Sequence, residues 1–180
     1  MPDYDIDSTP HFLAIGKSVV GFERVTQQLR FYYGCILQNA GLKTWKLSEN
    51  ILVIKTFGAP DLAKAYCAAI LILSASGELK PRAEKCMKEV QQLSELRNKI
   101  VHGDWHISTH MTITAELPPI KNESLLGGIK RKSTKKGTET EVLPSVSEMK
   151  IFAERCDQVV FEIGKIFQLL AIELEPLNSP

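Results

Sequence analysis

The apolar positions of this chain fall mostly on helical spacing. From about Leu13 to Gln38, Ile15, Val19, Phe22, Leu29, Tyr33 and Ile36 keep a three-four rhythm, with Val25 and Tyr32 widening the stripe. That rhythm predicts a long first amphipathic helix. A second helix is predicted from Pro60, a favoured first-turn residue, to Gly77. Tyr66 to Leu73 is apolar on all sides, so this helix is expected to be buried on most faces. Pro81 opens a third helix, with Cys86, Val90, Leu93 and Ile100 on one stripe, and Gly103 closes it. Ser145-x-x-Glu148, directly after Pro144, is a capping box. Met149, Phe152, Cys156, Val159, Ile163, Phe167, Leu170 and Leu174 then hold a stripe until Pro176. The expected fold class is all-α, a bundle of four main helices.

Between the third and fourth helices the period changes to two. Trp105, Ile107, Met111 and Ile113 fall on one side, and His106, Ser108, His110, Thr112 and Thr114 on the other. This predicts a strand or hairpin arm, ended by Pro118-Pro119. Residues 120–144 read as a loop carrying Gly127-Gly128 and the basic run Lys130, Arg131, Lys132, Lys135 and Lys136, with Glu139 to Val142 as a return strand. Residues 105–144 thus form a small β-hairpin arm and basic loop within a single domain, 1–180. Residues 41–58 are left unassigned, because Asn50 to Ile54 fits a short strand as well as a buried helix.

A chain of 180 residues is enough for one core and one domain. Its formal net charge is +1, so attraction to RNA or to a membrane would have to come from local patches. Cys35, Cys67, Cys86 and Cys156 are widely spaced inside apolar helical patterns, which reads as four reduced core thiols. The amino terminus is acidic and lacks the basic start of a signal peptide. The longest apolar run, Ala65 to Leu73, is too short to span a bilayer. A cytoplasmic location without a membrane partner is expected.

The stretch Glu95 to Trp105 carries the candidate chemistry. Arg97 falls on the apolar repeat between Leu93 and Ile100, near the middle of the stripe. A guanidinium keeps its proton in proteins, so it calls for an acidic or phosphate partner wherever that stripe points. His102 lies about 140° further round and roughly 7.5 Å along the axis. His102, His106 and His110 recur every four residues, but Gly103 interrupts the helix, and on a strand His106 and His110 are about 13 Å apart. No metal site is therefore assigned, and no Gly-rich phosphate loop or other cofactor motif is present.

Arg97-Asn98-x-x-x-His102-Gly103 resembles the Arg-x4-6-His motif of the HEPN superfamily, in which a polar residue follows the arginine. The order of a long first helix, two middle helices with the motif ending the second, an irregular segment and a closing helix is similar too. The resemblance covers most of the chain. It implies a HEPN-like helical bundle and a metal-independent endoribonuclease without a cofactor, often a toxin or antiviral defence effector. It also implies RNA as substrate, a homodimer that brings two motifs together, and an antitoxin or sensor protein as partner. Some members resembling this chain are non-catalytic scaffolds. In one subgroup a tyrosine two residues after the motif histidine is modified by a partner nucleotidyltransferase. Asp104 stands at that position here, so that chemistry does not carry over.

The chemistry fits these residue types. An imidazole titrates near neutrality, which suits His102 to moving the 2′-hydroxyl or leaving-group proton as RNA is cut to a 2′,3′-cyclic phosphate. The fork of Arg97 matches the oxygens of an anionic phosphorane, and Asn98 would orient the phosphate or the imidazole. One histidine does not easily serve as acid and base in the same step, so a second His102 from a symmetry mate is expected. Glu23, bordering the first helical stripe, and Asp104 are supporting candidates. Lys130, Arg131, Lys132, Lys135 and Lys136 are candidate RNA-backbone contacts or simply a solvated run. Two alternatives stay open. In one, Arg97 pairs with a carboxylate such as Glu23 and His102 only caps its helix. In the other, a non-catalytic HEPN-like module binds a partner protein or nucleotide through the same cleft.

Overall fold

The structure, a computed structural model, describes residues 9–42, 56–75, 77–106, 127–134 and 137–174. Its helices are α1 (Thr9–Asn39), α2 (Ala59–Leu73), α3 (Leu79–Val101) and α4 (Val146–Leu174), and they pack as a bundle. Their directions follow from a few contacts. Ser18 Oγ reaches Met149 O, Arg24 pairs with Asp157, and Tyr32 stacks on Phe167 at 4.8 Å, so α1 and α4 run the same way. Tyr66 Oη donates to Ile163 O and Ser74 Oγ to Glu173, so α2 runs with α4 as well. Arg82 pairs with Glu162 and Arg155 with Glu89, so α3 runs against α4. The carboxyl end of α3 therefore lies at the end of the bundle where α1 and α4 begin.

Large side chains fill the core, but small ones set how closely the helices approach. Phe22, Val25 and Leu29 of α1 and Phe152, Val159 and Ile163 of α4 are all buried in one core cluster, with the rings of Phe22 and Phe152 in contact. Ala14, Ser18 and Gly21 make a buried ridge of small residues on α1. A Cβ on Gly21 would sit 3.4 Å from Cys156 Cβ, so the two helices touch nearly backbone to side chain there. The Ser18 hydroxyl is satisfied by Ala14 O at 2.8 Å, as a buried hydroxyl must be. Tyr66 is fully buried with its hydroxyl bonded to Ile163 O at 2.8 Å, and burial drives its pKa upward. Cys67, Cys86 and Cys156 are buried and Cys35 half-buried, all as free thiols. Burial pushes the Cys86 and Cys156 thiols up to about 12, so neither offers a thiolate.

Several boundaries differ from the sequence expectation. α1 begins at Thr9 rather than near Leu13, and α2 stops at Leu73 rather than Gly77. α2 is not buried on most faces: it packs on α1 and α3 with one side and leaves Ile72 80% exposed. Among the described residues, no helix is long and apolar enough to cross a membrane.

The start of α4 shows the expected capping box. Ser145 N and Oγ donate to the Glu148 carboxylate at 2.7 and 2.8 Å, and Glu148 N donates to Ser145 Oγ at 3.2 Å. The Ser145 backbone N–H, then its hydroxyl, hold the Glu148 carboxyl below its usual pKa. A depressed folded pKa adds stability above the unfolded pKa and loses it as pH falls through the folded value. Ser145→Ala should cost about 1 kcal/mol at neutral pH. The deficit of Glu148→Gln relative to wild type should shrink in acid, as read by urea titrations at neutral and acidic pH.

Between α3 and α4 the backbone forms strands β1 (Asp104–His106), β2 (Gly127–Thr134) and β3 (Gly137–Val142), antiparallel in the order β1-β2-β3. Lys130, Arg131 and Lys132, expected in a loop, lie on β2 instead. The register sets positions 130 and 132 opposite Glu141 and Glu139, so segments of opposite formal charge pair, an arrangement that favours a ladder over a loop. Lys135, Lys136, Asn50 to Ile54 and the alternating segment from Ile107 to Thr114 fall outside the described residues. The segment leaves α3 at Gly103 and returns at Leu143. A Cβ on Gly103 would overlap the Leu143 methyls and lie 2.8 Å from Lys99 O, so only glycine fits this close approach.

Candidate functional site

The last turns of α3 hold the three residues of the motif. Leu93 and Ile100 are fully buried, and Arg97 lies on the same ridge between them. It is nevertheless only half-buried. Arg97 Nη1 donates to Asn98 Oδ1 at 3.2 Å, and among the described residues no carboxylate forms an ion pair with it. Asn98 and His102 are exposed. His102 is the C-cap of α3, with φ −104° and ψ 13°, and its N–H donates to Asn98 O at 3.1 Å. The cap is thus made by the backbone, which leaves the imidazole outside the helix.

Glu23 is not the partner of Arg97. It is exposed and sits 3.7 Å from Arg30 of its own helix. The reason is the antiparallel course of α3: its last turns lie beside the start of α1, whereas Glu23 lies further along α1 and off its core face. Asp104 is the first residue of β1, in register with Ile129. His106 ends β1, and His110 is outside the described residues. Arg97, Asn98 and His102 thus share the closing turns of α3, with Arg97 bonded to Asn98, and Glu23 stands apart from them.

One residue at this end was not singled out by sequence reasoning. His11 lies in the first turns of α1 and continues the buried ridge of Ala14, Ser18 and Phe22 at helical spacing. Its Nδ1 is shielded from solvent and has no hydrogen-bond partner among the described residues. The signal was available: residue 11 is in phase with residues 14, 18 and 22 once the helix is begun at Thr9.

Two open grooves lie elsewhere. One, of about 840 Å³, runs between α1 and α4 and is lined by Phe12, Leu13, Val20 and Ala153 among others. The second, of about 810 Å³, lies between α3 and α4 over the Arg82–Glu162 and Arg155–Glu89 pairs. Neither is lined by Arg97, Asn98 or His102. No histidine lines either groove.

No family model matches the chain, and neither a curated protein nor a solved structure matches it.

Proposed function

We propose that the protein is a metal-independent endoribonuclease with a HEPN-like fold, cutting RNA by attack of the 2′-hydroxyl on the adjacent phosphate. The observation that carries this reading is the guanidinium of Arg97, bonded to Asn98 and without a carboxylate partner among the described residues, on the closing turns of the helix that ends at His102. A half-buried arginine with no carboxylate on it among the described residues has donors left for a phosphate. In this reading Arg97 binds the phosphoryl oxygens as their charge grows, Asn98 orients them or the imidazole, and His102 moves a proton. Lys130, Arg131 and Lys132 on β2, with Lys135 and Lys136, hold the RNA backbone as part of a β arm. A homodimer, a cytoplasmic setting and a controlling antitoxin or sensor belong to the same reading and rest on the resemblance.

The test is cleavage of single-stranded RNA in excess EDTA, with the new end identified chemically. Cleavage that persists and leaves a 2′,3′-cyclic phosphate is expected. Intact RNA, or cleavage abolished by the chelator, would overturn the assignment. The homodimer is expected to show twice the chain mass by light scattering at micromolar concentration, and a clean monomer would remove it.

A second reading, a non-catalytic module that binds a partner protein, is favoured by one observation. Phe12, Leu13 and Val20 stand 54–62% exposed beside the groove between α1 and α4. Metal-free RNA cleavage separates the two.

A further inference from the structure

His102 stands at the exit of α3, and the backbone on both sides of it is held. Its N–H donates to Asn98 O at 3.1 Å, and its φ of −104° and ψ of 13° end the helix. The next residue, Gly103, is confined from two directions. A Cβ there would overlap both Leu143 methyls and lie 2.8 Å from Lys99 O, so its Cα is packed between that side chain and the last turn of α3. Leu143 is only 5% exposed, although it belongs to no helix or strand.

Leu143 is itself tied on both sides. It follows Val142, the last residue of β3, and Val142, Ile129 and Asp104 are in register across the three strands. Two residues after it, Ser145 opens α4 through the capping box with Glu148. The returning strand and the start of α4 thus hold Leu143 on the residue that follows His102. Helix ends fray where nothing holds them, and here the end that carries the motif is held.

We infer that Leu143 is a positioning residue of this site: its side chain, seated on Gly103, sets the backbone from which the His102 imidazole is presented to an RNA phosphodiester. This rests on the ribonuclease reading and deepens it. In this role Leu143 touches no substrate and moves no proton. It fixes the Cα–Cβ direction of His102, whose exposed ring then reaches its proton by its own side-chain torsions. The same contact serves each His102 of a homodimer. A positioned acid or base works only within hydrogen-bond reach, so a backbone shift of about 1 Å is enough to cost up to about 10²-fold in rate.

The experiment uses the full chain, an RNA oligonucleotide with one mapped cleavage site, and carbon–proton NMR of the His102 ring. Leu143→Ala empties the space over Gly103, and Leu143→Met refills most of it. Val159→Ala is the control, a truncation of a buried residue about 20 Å along α4 from its first turn. Rates are taken at saturating RNA and scaled to the folded fraction. Leu143→Ala is expected to lower kcat by about 10–10²-fold with KM little changed, and Leu143→Met to recover most of the loss. Val159→Ala is expected to lower the unfolding midpoint yet keep the wild-type kcat. Without RNA, the His102 ring resonances are expected to move in Leu143→Ala and to stay in Val159→Ala. Wild-type kcat in Leu143→Ala, unmoved His102 resonances in that variant, or an equal loss in Val159→Ala would overturn the proposal. Should Leu143→Ala fail to fold, Leu143→Val is read by the same measurements against the same outcomes. Wild type that leaves RNA intact would remove the ribonuclease reading. The ring resonances then still decide whether Leu143 sets the exit at His102, and unmoved resonances would overturn that as well.

Discussion

Arg97→Ala is expected to lower RNA cleavage by roughly 10²–10³-fold at saturating substrate, the usual loss when one donor to a developing oxyanion is removed. His102→Ala is expected to lose about 10²–10⁴-fold, the range of one positioned acid or base. The structure makes both changes clean. His102 is exposed, and its capping bond comes from the backbone, so alanine keeps that bond. Arg97 gives up one bond to its neighbour, Asn98, and no ion pair among the described residues. Stability should therefore move little while turnover falls. Arg97→Lys discriminates further: it keeps the charge and loses the planar fork, so partial activity is expected. If all three variants cut RNA at the wild-type rate, the motif has no catalytic part.

Phe152→Ala should be the most damaging change to the fold, at about 3–5 kcal/mol. The ring is fully buried, with its centroid 6.4 Å from that of Phe22. It lies along the contact of α1 with α4, where the small ridge of Ala14, Ser18 and Gly21 already brings the helices close. Helices packed so closely have little room to collapse into the space left behind, which places the expected cost at the upper side of that range. Native domains are stable by about 5–15 kcal/mol, so the variant would lose a large share of its margin. Phe161, 70% exposed on the same helix, is the control, and Phe161→Ala should stay within about 0.5 kcal/mol of wild type. Urea unfolding of both variants checks the pair. A loss below about 1 kcal/mol at Phe152 would mean that the core does not depend on that ring.

α4 was legible because its stripe is long, made of large apolar residues and opened by a capping box. The start of α1 was not, because its buried face begins with His11, Ala14 and Ser18, which carry no hydrophobic signal. The same gap hid His11 as a candidate. The one-sided burial of α2 was misread for the opposite reason: Leu71 and Ile72 are apolar yet exposed, and composition does not tell a covered face from an open one. Arg97, Asn98 and His102 could be placed on the end of a helix from Gly103 alone. Whether a carboxylate would reach Arg97 could not, since that depends on the direction of α1 relative to α3. Consecutive charges along positions 130–132 show no period of two, so the strand there was invisible until its partner, β3, supplied the register.

The meeting of Gly103 with Leu143 has a consequence for how the chain tolerates change. The chain leaves α3 and comes back to α4 at one point, where Gly103 meets Leu143. For such a segment, doubling its length changes the cost of closing it by only about 0.6 kcal/mol. Lengthening, trimming or exchange between Gly103 and Leu143 is therefore expected to leave the packing of α1, α2, α3 and α4 in place.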